Sequence, residues 1–286
     1  MSLIRIETGL NSNIGLRRKD NQDSAVARLG VYVVCDGMGG GKGGSRASAD
    51  VAGRFARLAE RPTRDLDAID DTLLRSQQDV LQLGTALGGV AGTTITGVLL
   101  PTRVEEGSGS PDERCYIVNV GDSRTYHMRA DEHGNWLADS LACITRDHSE
   151  RQNAIDSGAM LPDEANRCIP RNIITQCVGA PGGIQPDWYA ARAEGRFIIC
   201  SDGLHAQIGR AQLAGIAASH ADPQKAADML VDAALQAGGR DNITVIVVDM
   251  HADGSPHGDW DVSKISDNED IDDALDGTLQ TLRAVR

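Results

Sequence analysis

A chain of 286 residues, 41% hydrophobic and 24% charged, is long enough to enclose a core that needs no disulfide support. Its formal charge of -13 excludes broad affinity for nucleic acid, and any phosphate site on it must bring its own cations. Six scattered cysteines form no CxxC pair and have no close histidine, so buried free thiols are expected in place of a zinc site or disulfide framework.

The first residues lack the apolar core of a signal peptide, and no run approaches membrane-spanning length, which predicts a soluble cytoplasmic protein with no membrane partner. Residues 4–8 alternate apolar and polar, as a first strand would. Residues 15–24 are densely charged and read as a turn, after which residues 25–27 could begin a second strand.

Val31-Tyr32-Val33-Val34-Cys35 then runs into Asp36 and six glycines within eight residues. This reads as a buried strand that stops at a carboxylate with close backbone access, a setting that suits a metal ion. Gly39-x-Gly41-x-x-Gly44 also matches the dinucleotide-binding fingerprint, but Asp36 would set a negative charge beside the pyrophosphate. A phosphate loop fails because Gly43, not Ser or Thr, follows Lys42.

Helical spacing recurs at Ala47, Val51, Phe55 and Leu58, and again more loosely from Leu66 to Leu83. Residues 95–100 form a strand closed by Pro101, and residues 105–113 a polar hairpin loop. Residues 115–120 and 124–129 are strands joined by a tight turn at Gly121-Asp122-Ser123. Residues 150–183 mix helical fragments with Pro and Gly, as in a surface flap. Residues 196–200 form a strand ending at Asp202, residues 223–237 a helix, and residues 243–248 a strand preceded by Asp241. From residue 251 onward, nine acidic residues face three basic ones, a net -6 that marks an acidic tail. Within it Ile271, Leu275, Leu279 and Leu282 would share one face of a short helix.

Asp36, Asp122, Asp202 and Asp241 thus stand at strand ends or turns, with Asp23 in the charged segment. Such a set, without matching His or Cys, selects oxygen-preferring cations such as Mg²⁺ or Mn²⁺. Two of these roughly 3.5–4 Å apart suit phosphate ester hydrolysis.

Arg18-x-x-Asn21-Gln22-Asp23, Asp36-Gly37-Met38-Gly39-Gly40, Gly92-Thr93-Thr94, Gly121-Asp122-Ser123-Arg124, Thr145-x-Asp147-His148-Ser149, Ser201-Asp202-Gly203-Leu204 and Asp241-Asn242-Ile243-Thr244-Val245 occur in that order. This set closely resembles the metal-dependent protein phosphatase family, protein phosphatase 2C type, in its bacterial form. The resemblance implies an α+β fold in which a central antiparallel β-sandwich carries α-helices on both faces, four layers in the order αββα. It implies a catalytic domain over residues 1–250 that hydrolyses phosphoserine and phosphothreonine, with residues 251–286 as the tail. It also implies two Mn²⁺ or Mg²⁺ ions and a weaker third. Asp36 would bridge two metals, Gly37 would offer its carbonyl, and Asp202 and Asp241 would complete one shell. Asp23 would hold the water network, Asp122 would share the third ion with Asp202, and Arg18 would clamp the phosphate. Expected partners are phosphoproteins and a cognate Ser/Thr kinase, with the chain a monomer.

Gln22 stands where the family often has Glu, and Met38 where animal members have a histidine, so no side-chain general acid can be named. His148 and Arg124 are expected in supporting roles, and Thr93 and Thr94 in strand-start hydrogen bonds. Two other readings stay open: a phosphoprotein-binding relative without turnover, and a nucleotide-binding oxidoreductase.

Overall fold

The computed structural model describes residues 3–39, 42–105, 109–251 and 260–265. The chain opens with β1 (Ile4–Asn13), β2 (Asp23–Arg28) and β3 (Val31–Met38), then forms the helices α1 (Lys42–Ala59) and α2 (Leu66–Ala86). It returns as β4 (Gly92–Thr93), β5 (Ile95–Leu99), β6 (Gly109–Ser110), β7 (Arg114–Val120), β8 (Arg124–Met128) and β9 (Ala142–Cys143). The short helices α3 (Glu150–Asp156) and α4 (Pro162–Cys168) lead to β10 (Asp187–Arg192) and β11 (Gly195–Cys200). Last come α5 (Asp202–His205), α6 (Arg210–Ser219), α7 (Pro223–Gln236), β12 (Ile243–His251) and β13 (Val262–Ile265).

Two antiparallel sheets result, one in the order β6-β1-β12-β11-β8-β9 and the other β13-β10-β7-β5-β3-β2, with β4 on the end of β3. Successive strand residues point to opposite faces, so β3 sends Val31, Val33 and Cys35 one way and Tyr32 and Val34 the other. The first set packs under Val51, Phe55, Ile69 and Leu73 of α1 and α2. The second meets Phe197, Ile199, Ile246 and Val248 of the opposing sheet. On the far side, Leu213, Leu230 and Val231 of α6 and α7 cover Ile198, Val245 and Val247. The layers therefore run helix, sheet, sheet, helix, the α+β sandwich that the motifs implied. Burying each such side chain contributes about 1.5–3 kcal/mol.

Several local expectations are corrected. β3 does not stop at Asp36 but continues to Met38, because Thr93 of β4 pairs with Gly37 and extends the ladder. β2 begins at Asp23, so the end of the charged segment is strand and not turn. β7 and β8 are no hairpin: Gly121-Asp122-Ser123 carries the chain from one sheet to the other. Hydroxyl pairs fasten that crossing, Thr94 Oγ1 to Ser123 Oγ at 2.7 Å and Thr96 Oγ1 to Thr125 Oγ1 at 3.0 Å. Part of the expected loop at residues 105–113 is β6, an edge strand on β1. All six thiols are free, yet only Cys35, Cys115 and Cys200 are buried; Cys143 and Cys168 are exposed.

β10 and α6 are elements that the sequence patterning does not predict. Residues 150–183 do carry two short helices, α3 and α4. In the C-terminal segment, Val262–Ile265 forms an edge strand on β10, and Lys264 reaches Asp187 at 2.6 Å. The helix expected around Ile271 to Leu282 lies outside the described residues.

Candidate active site

Asp36 lies two residues beyond Val34 on β3, so its side chain falls on the inner side of the sheet, where the apolar core between the sheets gives out. Antiparallel register sets Asp23 directly opposite it. Asp23 is buried, and its Oδ2 accepts from Ser201 Oγ at 2.8 Å, which ties the first sheet to the second. Ser201 Oγ in turn accepts from Thr244 N at 3.0 Å.

Close backbone approach brings the remaining carboxylates in. A Cβ on Gly203 would lie 1.8 Å from the Asn242 carbonyl, so only glycine lets the first turn of α5 press on the start of β12. That contact sets Asp202 beside Asp241. Similarly, a Cβ on Gly37 would meet the Gly44 carbonyl at 2.3 Å, so the glycine run serves to seat α1 on the end of β3. Arg18 Nη2 donates to Asp241 Oδ2 at 2.7 Å, and Arg171 Nη2 stands 3.8 Å from Asp202 Oδ2. Asp122, on the sheet-to-sheet crossing, gives its carbonyl to His205 Nε2 at 3.0 Å.

Four of these carboxyls titrate high. Burial first, then the charges of Asp23, Asp202, Asp122 and Asp241, hold Asp36 well above the carboxylate range. Burial and the charges of Asp202 and Asp241 raise Asp23 to about 7, against hydrogen bonds from Ser201 and Thr244. Burial, with the charges of Asp202 and Asp147, raises Asp122 to about 7. Asp202 rises through burial and the Asp241 charge. The five aspartates therefore share one field and leave it short of positive charge.

The donor chemistry fits hard divalent cations: every side-chain donor is a carboxylate oxygen, and the buried Asp23 Oδ1 has no hydrogen-bond partner among the described residues. The carboxylates are not drawn into one tight group, however. Among the described residues, the three ligand atoms within 4.8 Å of one another belong to Glu7, Asp249 and His251, at the far end of β12. There both Asp249 oxygens are already taken by Arg196.

The supporting residues sit as expected. Thr93 Oγ1 donates to the Asp36 carbonyl at 2.9 Å, and Thr94 Oγ1 accepts from Asp36 N at 3.0 Å. Arg124 grips Asp147 with Nε and Nη2, each at 2.7 Å. His148 is buried; its Nδ1 accepts from Gly121 N at 3.3 Å and its Nε2 donates to Asp187 at 3.3 Å. Burial would raise Asp187, but hydrogen bonds from His148 and Lys264 prevail and hold it at about 2.

Asn242, to which no local pattern assigns a role, holds the Arg18 loop together. Its Nδ2 donates to Ile14 O at 2.9 Å and Asp20 O at 3.0 Å, while its Oδ1 accepts from Gln22 N at 2.8 Å. An asparagine between Asp241 and the apolar run that starts at Ile243 was the available signal. Arg171 was also missed, because nothing local relates it to Asp202.

No family model matches the chain. Serine/threonine protein phosphatase PstP of Mycobacterium tuberculosis is 31% identical over 246 residues, 84% of this chain and 44% of PstP, so the chain spans less than half of that relative's length. Protein phosphatase PhpP of Streptococcus pneumoniae is 30% identical over 262 residues, 86% of this chain and 98% of PhpP. The crystal structure of the PstP catalytic domain in complex with two manganese ions superposes with a TM-score of 0.73 at 28% identity, covering 87% of this chain and 99% of that one. With the motif order, the four-layer sandwich and a relative matched over nearly its whole length, the chain belongs to the metal-dependent protein phosphatase family of the protein phosphatase 2C type.

Proposed function

We propose that the chain is a metal-dependent Ser/Thr phosphoprotein phosphatase. The observation that carries this reading is that Asp23, Asp36, Asp122, Asp202 and Asp241, from separate segments, lie near enough to feel one another's charge, with Arg18 bonded to Asp241 at the rim. Asp36, the Gly37 carbonyl, Asp202 and Asp241 would hold two Mn²⁺ or Mg²⁺ ions, and Asp122 with Asp202 a third. Bound there, the two cations would supply a water made nucleophilic at neutral pH and a clamp on the phosphoryl oxygens. The kinship with PstP, seen with two manganese ions, supports that choice of metal.

The chain's own groups supply the rest. Asp23 would order water through its unpartnered Oδ1. Arg18, whose hydrogen bond to Asp241 and nearby carboxylate charges raise its pKa, presents a planar cation to the phosphate. The ester P–O bond breaks as the water oxygen bonds to phosphorus, releasing inorganic phosphate and the free hydroxyl. Met38 has no proton to give, so the leaving oxygen takes its proton from water.

The substrates would be phosphoserine and phosphothreonine proteins modified by a cognate Ser/Thr kinase, placing the chain in signal transduction as a monomer. Six unpaired thiols fit the reducing cytoplasm, and no helix among the described residues is long and apolar enough to cross a membrane. The test is release of p-nitrophenol from p-nitrophenyl phosphate, and of phosphate from a phosphothreonine peptide, with and without Mn²⁺. Metal-dependent turnover of both supports the assignment. No release with Mn²⁺ present would leave only a phosphoprotein-binding module.

A further inference from the structure

A second charged feature runs along the outer seam between α1 and α2. One cavity of about 500 Å³ there is lined by Arg46, Arg57 and Asp79 among others. A second, of about 190 Å³, is lined by Arg54, Arg57, Arg61 and Arg75. Arg57 borders both, so the two adjoin along one interhelical groove whose lining carries five arginines and three aspartates, Asp50, Asp71 and Asp79. Arg54 pairs with Asp79, and Arg75 with Asp71. Arg46, Arg57 and Arg61 are exposed, and none of the ion pairs among the described residues includes them.

This concentration of guanidinium groups lies on a chain of net charge -13. A phosphoprotein approaching so negative a surface is repelled at long range, and only a local positive strip offsets that field. The helix that carries the groove begins beside β3 and Asp36: Gly44 of α1 touches Gly37, and Arg46 follows two residues later. From Arg46 to Arg57, α1 rises about 16 Å at 1.5 Å per residue. An extended peptide covers that distance in about five residues.

We propose that this groove docks an acidic stretch of the phosphoprotein substrate, about five or more residues away from the phosphorylated side chain. The proposal rests on the phosphatase reading above and adds a substrate class to it. Arginine suits the task because its planar fork binds carboxylates and phosphates through paired hydrogen bonds.

The test uses the full chain and two fluorescein-labelled phosphoserine peptides. They are identical except for four Glu, or four Gln, placed five to eight residues from the phosphoserine. Fluorescence anisotropy is expected to show the Glu peptide binding at least tenfold tighter at low salt. In the Arg57→Glu/Arg61→Glu variant that preference disappears, while kcat and KM for p-nitrophenyl phosphate stay within twofold of the parent. Equal binding of the two peptides, or a preference that survives in the variant, overturns the proposal.

A third arm replaces Asp267, Glu269, Asp270, Asp272, Asp273 and Asp276 by their amides in the full chain. Unchanged peptide affinity supports a substrate ligand. A tenfold gain would instead assign the groove to the chain's own acidic segment and overturn the proposal. Absence of p-nitrophenyl phosphate turnover in the parent chain sinks the phosphatase reading alone, since anisotropy reports on the groove without turnover.

Discussion

Asp23 and Asp36 occupy directly opposed positions on β2 and β3, two carboxyl groups set across one rung of a sheet. Opposed like charges destabilise a strand pair, and here burial adds to their repulsion. Such a pair is tolerable when at least one carboxyl is protonated or when a cation lies among them, and the second condition is the one the proposed chemistry uses.

Asp36→Asn removes the charge but keeps the shape and the β3 ladder. Turnover of p-nitrophenyl phosphate should fall by more than about a hundredfold. The circular dichroism spectrum should stay that of the parent. Turnover within a few-fold of the parent would show that Asp36 holds no metal.

Mn²⁺ should stabilise the folded chain by filling the carboxylate field. At a hundredfold excess over its dissociation constant the gain is about 2.7 kcal/mol, or a rise in Tm of about 5–10 °C. EDTA should reverse the shift, and Asp36→Asn should abolish most of it. An identical Tm with Mn²⁺ and with EDTA would speak against any metal there.

Asn242→Ala would release three hydrogen bonds that hold residues 14, 20 and 22. Stability should fall by about 1–3 kcal/mol in urea unfolding. If Arg18 recognises phosphate from that loop, KM for p-nitrophenyl phosphate should rise more than kcat falls. A stability loss with unchanged KM would confine Asn242 to the scaffold.

Arg196 and Asp249 form a fully buried pair, with Nε to Oδ1 at 2.7 Å and Nη2 to Oδ2 at 2.6 Å. The same guanidinium also donates to the carbonyls of Ala217, His220 and Ala221, fastening the link between α6 and α7 to the sheet. Arg196→Met strands a buried carboxylate and should lower stability by about 3–5 kcal/mol. Adding Asp249→Leu should recover part of that loss in the same unfolding assay.

His127 is buried, stacks on Trp260 with ring centroids 3.6 Å apart, and has its pKa lowered by burial to about 3. A folded-state pKa below the unfolded value of about 6.5 means that the unfolded chain binds the proton first. Stability is therefore complete above pH 6.5 and declines as pH falls from there toward 3. At pH 5.5 the decline from this one group amounts to about 1.4 kcal/mol relative to neutral pH. Chemical unfolding at pH 7.5 and 5.5 should show His127→Gln losing less stability than the parent by about that amount.

Much of this molecule was legible along the chain because its signals are local. The run from Val31 to Cys35 has to be a strand buried on both faces, and the apolar spacing through Val51, Phe55 and Leu58 has to be a helix with one covered side. What escaped were elements with weak local signals. Ala-rich α6, with Gly215 inside it, has little periodicity. β10 is short, and Asp187 at its start faces His148 and Lys264 rather than water. The crossing at Gly121-Asp122-Ser123 looks like any tight turn, because which sheet the next strand joins depends on partners far away in the chain.

The amino-acid order by itself determined the residue types of the chemistry, carboxylates beside glycines, and the family that arranges them so. Only the folded molecule decided that Asp23 faces Asp36, that Gly203 lies close enough to Asn242 to bring Asp202 and Asp241 together, and that Arg18 reaches across to Asp241. Each of these is a meeting between segments up to 223 residues apart. Local propensity cannot encode such a meeting, because it is set by which surfaces bury one another once the two sheets close.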